Sequence, residues 1–105
     1  MQTIIIKLDS EKLENPDLDI IYYLPVRIEE YTNEKVVDNG YDYITDNIIG
    51  VWLETENARA MYPVVIELLK CEKFSENDLS ESAEILISEN EAAELEDCVQ
   101  VYPEV

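Results

Sequence analysis

The sequence predicts an α+β fold with elements in the order β-α-β-β-α-β. Three observations lead there. Residues 48–53, Ile-Ile-Gly-Val-Trp-Leu, are a strand-length apolar run that feeds a helical pattern over a short cap. Apolar runs of similar length stand at 2–8 and at 83–88. Asn15-Pro16 marks a helix between the first two runs, because Asn caps well and Pro loses nothing at a first helical position.

Taken in order, residues 2–8 alternate Ile4, Ile6 and Leu8 against Thr3, Ile5 and Lys7. Ile5 makes both sides apolar, which predicts a central strand covered on both faces. Residues 9–12 read as a turn or a first cap. Asp17 and Asp19 follow Asn15-Pro16 and suit the positive first turn of a helix. Leu18, Ile21, Pro25 and Ile28 fall on one stripe, with Leu24 and Tyr31 beside it. Pro25 removes an interior hydrogen bond at about 3 kcal/mol, which predicts a kink or break near residues 23–24.

Residues 35–54 read as a hairpin. Tyr41 and Tyr43 alternate with Asp42 as in a half-exposed strand. Asp38-Asn39-Gly40 is a turn or a bulge, and Asp46-Asn47 turns the chain into the 48–53 strand. The alternative puts the tight turn at Asn39-Gly40, with Val36-Val37 as a short arm. Thr55 or Asn57 then caps a helix whose apolar face is Ala58, Met61, Val65, Leu68 and Leu69. Pro63 kinks that helix or marks its true start.

Residues 74–82 read as an acidic loop anchored by Leu79, and 83–88 as a strand. Ser88 and Glu91 have capping-box spacing, which predicts a short helix over 89–97. Residues 99–102 suit a final edge strand stopped by Pro103. The whole is the ferredoxin-like order, an antiparallel sheet with two helices on one face, plus a short C-terminal helix or edge strand. Residues 1–105 are expected to form a single domain, which at this size buries roughly two thirds of its unfolded surface.

Charge is the strongest anomaly. The chain has 25 acidic and 7 basic residues, a net charge of -18. No basic residue lies between Lys35 and Arg59, and none follows Lys73. Hydrophobic content of 47% rules against disorder as the explanation. Such a field repels nucleic acid and anionic membranes and attracts cationic proteins; solubility is the bland alternative. The N-terminus reaches a charge at Lys7, too soon for a signal sequence, so a cytoplasmic address is expected.

The absences narrow the chemistry. Without histidine there is no Ser-His or Cys-His nucleophile system. Two glycines cannot build a phosphate loop. Cys71 and Cys98 lack metal-site spacing and read as small apolar side chains. The Asp38–Asp46 stretch fails the EF-hand pattern, since its glycine comes too early and the closing Glu is missing. No enzyme activity, metal or cofactor is expected.

Tyrosine occurs 7 times, and about half are expected in the core, Tyr22 and Tyr62 first among them. Asp38, Tyr41, Asp42, Tyr43 and Asp46 combine acid with aromatic faces, which suits a grip on Lys and Arg. Glu89, Glu91, Glu94 and Asp97 form a second acidic group. The expectation is a non-enzymatic binding protein with a basic partner, a toxin or a nucleic-acid-binding protein. Its most concrete form is a bacterial immunity or inhibitor protein; a DNA mimic or a small ligand-binding or regulatory domain using Trp52 are the alternatives.

Overall fold

The computed structural model describes residues 1–103. It is an α+β arrangement of five antiparallel strands and three α-helices: β1 Gln2–Asp9, α1 Ile20–Tyr31, β2 Val36–Tyr43, β3 Ile48–Thr55, α2 Ala58–Cys71, α3 Leu79–Ser82, β4 Glu84–Ser88 and β5 Val99–Tyr102. Short 3-10 turns occupy Ser10–Lys12 and Leu95–Asp97. The strand order is β2-β3-β1-β4-β5, so β1 is central, as its two apolar faces require.

Register fixes which side chains share a face. Ile4 lies opposite Leu53 and Ile87, and Ile6 opposite Val51 and Ile85. These join Leu24 and Ile28 of α1 and Val65, Leu68 and Leu69 of α2 in one buried cluster. Ile5 points the other way, opposite Trp52 and Leu86, and is equally buried. Lys7 and Glu84 are paired in register on that second face and make a 3.2 Å ion pair.

The first helix starts four residues later than Asn15-Pro16 suggests, with Asp19 at its N-cap making no side-chain capping bond. Asn15 is engaged elsewhere. Its N–H donates to Asn77 Oδ1 at 2.9 Å, and its carbonyl accepts from Asn77 Nδ2 at 2.6 Å. Asn77 is buried and its amide also binds the carbonyls of Phe74 and Ser75. The would-be cap is therefore part of a peg between two loops. Starting at Ile20 changes the core stripe to Ile20, Ile21, Leu24, Pro25 and Ile28, and leaves Leu18 outside it.

Neither proline breaks its helix. Pro25 and Pro63 both lie inside continuous α1 and α2, in the second turn. Pro25 is itself buried between Leu24 and Ile28, so packing on both sides of the lost hydrogen bond holds the turns together. Pro63 is on the exposed side of α2, where water can satisfy the orphaned carbonyl. Asn57, rather than Thr55, caps α2, its Oδ1 accepting from Ala60 N at 3.1 Å.

The hairpin matches the longer-armed expectation, and Asp38-Asn39-Gly40 is a bulge. The β2–β3 register shifts between Asp38 and Tyr41, and Gly40 takes φ +95, a conformation natural only to glycine. Asp38 Oδ1 accepts from Gly40 N at 2.9 Å. Thr32 binds the backbone of Ile28 and Val36, so α1 is tied directly to the start of β2. Residues 74–82 are more ordered than a loop, with Phe74 and Leu79 buried. Residues 89–97 form no α-helix, only the 3-10 turn at Leu95–Asp97: Ser88 Oγ accepts from Asn90 N, two residues on, so the capping box does not form.

Candidate functional site

The second face of the sheet is closed by residues 89–98, which cross it as a strap between β4 and β5. The strap is held by backbone groups. Thr3 Oγ1 donates to Asn90 O at 2.8 Å and accepts from Ala93 N at 3.0 Å. Trp52 Nε1 donates to Ala93 O at 2.9 Å, and Ala93 is buried. The Trp52 ring lies over Gly50: a Cβ at that position would stand 2.5 Å from Trp52 Cζ3. Glycine is thus needed there for close approach.

Between the strap and the hairpin lies an open cleft of about 400 Å³. Trp52, Asp42 and Tyr43 line it from the hairpin, and Glu94, Leu95 and Glu96 from the strap. The structure therefore brings the two sequence-predicted acidic groups to one place, through Asp42 on one side and Glu94 on the other. Glu89, Glu91 and Asp97 are exposed along the same strap. Asp38 sits at the bulge on the sheet edge, where its N–H donates to Glu29 Oε1 at 3.0 Å. Asp46 is exposed in the hairpin turn, outside the cleft lining.

Tyr41 faces the opposite way. It is paired across the ladder with Val51, on the helix side, and meets Tyr22 of α1 edge to face, with ring centroids 6.1 Å apart. Tyr22, expected in the core, is 60% exposed. The Tyr41 hydroxyl beside it pushes the Tyr22 phenol above its ordinary pKa, with the charges of Asp19 and Tyr43 acting in the same direction. Tyr62, by contrast, packs against the core as expected. Leu18 and Val26 are exposed to 55% and 56%; Val26 is one turn from Tyr22 on the same side of α1, and Leu18 lies in the turn before the helix. Sequence reasoning missed this stripe. The signal was present in the stripe of Ile21, Leu24, Pro25 and Ile28, whose phase leaves Tyr22 and Val26 off the buried side.

The approach to α1 is tightly held. Asp17 accepts hydrogen bonds from Asp19 N, from Ser75 Oγ and from the Tyr23 hydroxyl. The backbone bond from Asp19 and the Ser75 hydroxyl keep its carboxyl below the usual range. Arg27, the one basic residue of α1, turns to Glu72 with Nε–O distances of 2.8 and 3.0 Å. It also lies 5.8 Å from the Tyr31 ring centroid.

Cys71 and Cys98 are free thiols, and Cys71 is exposed rather than a core filler. Burial and the Asp97 charge push the Cys98 thiol above its ordinary pKa, the opposite of what a reactive thiolate needs. Among the described residues, no three of Cys, Asp and Glu converge to hold a metal ion. No described helix is long and apolar enough to cross a membrane. No family model, curated protein or solved structure matches this chain.

Proposed function

We propose that this chain is a non-enzymatic acidic binding protein whose partner is a basic protein. In its most concrete form it is a cytoplasmic bacterial immunity or inhibitor protein that covers the active cleft of a cationic toxin or nuclease. The observation that carries the reading is the convergence of two acidic segments, far apart in sequence, on the two rims of the Trp52 cleft. Asp42, Glu94 and Glu96 reinforce one another there, and the concave shape between them focuses their field. Arginine and lysine side chains are the complementary groups, and aromatic faces add attraction for them. A DNA mimic is a variant of this reading, in which the strap acids stand in for phosphates before a nucleic-acid-binding partner. The accompanying reading of the fold is ferredoxin-like, supported by the antiparallel order β4-β1-β3-β2, with β5 an addition beside β4.

The test is capture of the product of a neighbouring gene, and of proteins from the native lysate, on immobilised chain at low salt. A basic protein retained at about 0.05 M salt and released by about 0.5 M supports the reading, since that range takes the Debye length from beyond 10 Å to a few ångströms. Nothing retained at low salt contradicts it. A second reading, a small ligand-binding or regulatory domain, draws on the same cleft, where an indole and several polar groups line about 400 Å³. Saturable quenching of Trp52 fluorescence by a metabolite, independent of salt, would favour that reading.

A further inference from the structure

We propose that the exposed face of α1 together with β2 is the surface on which an arginine-bearing amphipathic segment of the basic partner docks, a proposal that rests on the acidic-binding reading above. Leu18, Tyr22 and Val26 recur every fourth residue and are each more than half exposed. Tyr22 and Val26 stand one turn apart on α1, about 6 Å along its axis, and Leu18 lies in the turn that precedes the helix. Tyr41 and Tyr43, 46% and 52% exposed, widen the stripe onto the adjacent strand. A contiguous set of half-exposed aromatic and aliphatic side chains is costly in water and marks interaction surfaces. Its centre is the Tyr22–Tyr41 pair, whose rings are already held edge to face.

The surrounding charge says what fits. Asp19 and Asp38 each stand three residues before a tyrosine of the pair, and both are exposed. Arg27, which would otherwise soften this field, is drawn off to Glu72. Guanidinium groups laid on the tyrosine faces would gain cation–π attraction and reach these carboxylates at the same time. Between them, Leu18 and Val26 offer aliphatic contact, so the complementary segment alternates arginine with leucine-like residues at helical spacing. A second copy of this chain is a poor occupant, because each copy brings a charge of -18 to the contact.

The frame beneath the surface is rigid. Asp17, Ser75 and Tyr23 are hydrogen-bonded to one another at the helix approach, and Thr32 joins the far end of α1 to β2. Docking therefore needs little reordering, which favours affinity.

The test is an NMR amide titration of the full chain with two synthetic helical peptides of equal charge, one built of arginine and leucine, the other of lysine and alanine. The arginine–leucine peptide is expected to shift residues 18–26 and 38–43 first and to bind about tenfold tighter than the other, the mark of an apolar hot spot. Tyr22→Ser and Val26→Ser change exposed side chains and should each weaken that binding about three- to tenfold, whereas Glu91→Gln on the strap should change it less than about twofold. Equal binding of the two peptides, or shifts centred on residues 89–97, would overturn this surface while leaving the acidic-binding reading intact. Absence of salt-sensitive binding to either peptide would overturn both. A dimer at high salt that Tyr22→Ser abolishes would make a second copy the occupant and reject the proposal.

Discussion

On one face of the sheet, Ile4, Ile6, Val51, Leu53 and Ile85 are closed over by α1 and α2, side chain against side chain. On the other, Ile5, Leu86 and Trp52 lie under a single strap that is held through the carbonyls of Asn90 and Ala93 and the amide of Ala93. The first seal is broad and apolar, and its strength grows with buried area. The second is narrow and depends on three directed bonds. The difference matters because the strap also carries the acids of the candidate site. The helix-covered face stabilises the molecule, and the strap-covered face displays its charge.

Substitutions should separate the two seals. Leu68→Ala opens a cavity under α2 and should cost about 2–5 kcal/mol in chemical denaturation, with the whole chain unfolding earlier. Gly50→Ala puts a methyl where the Trp52 ring lies and should cost about 1–3 kcal/mol through overpacking. Its signature is a displaced Trp52, read as a changed emission maximum before unfolding. Thr3→Val keeps the shape but leaves Ala93 N–H and Asn90 C=O without their partner, at about 1–3 kcal/mol. Hydrogen exchange should speed up at residues 90–95 in that variant and stay unchanged in α2. Uniform loss of protection in Thr3→Val would mean that the strap is no separate unit.

The smallest effect concerns the approach to α1. The carboxyl of Asp17 is held below the ordinary range by the Asp19 amide and the Ser75 hydroxyl. A lowered folded pKa favours the charged form in the native state, so its contribution is present above the unfolded carboxylate pKa and fades as pH falls through the folded one. The stability gap between the native chain and Asp17→Asn should therefore be widest near about pH 7 and shrink as pH falls below the ordinary carboxylate pKa of about 4. A gap that does not change with pH would show the carboxylate to be unimportant.

Much of the strand layout was legible in residues alone, because period-two alternation and turn chemistry act locally. Ile5 among Ile4 and Ile6 announced a central strand, and Asp38-Asn39-Gly40 announced a turn or a bulge, of which the ladder shows the bulge. The misreadings share a cause in distant partners. Asn15 was a plausible helix cap until Asn77, 62 residues away, took its backbone groups. Ser88 and Glu91 had capping-box spacing, but the chain beyond them is fixed by Thr3 and Trp52 instead. The stripe of Ile21, Leu24, Pro25 and Ile28 was in the right phase, but the early start carried it back to Leu18, which lies outside the helix, and nearness to the stripe drew in Tyr22, which is exposed. Of the candidate site, the two acidic groups could be named from density of charge. Their meeting across the Trp52 cleft could not, since it depends on how the strap crosses the sheet.

The central claim is that the acidic surface exists to hold a basic protein. The most direct measurement is the association rate of a partner captured on the immobilised chain, followed by stopped flow as salt rises from about 0.05 to 0.5 M. The account predicts a rate that falls at least about tenfold over that range, with dissociation much less affected, as for electrostatically steered docking. An association rate indifferent to salt would contradict the account and leave the charge as a device for solubility.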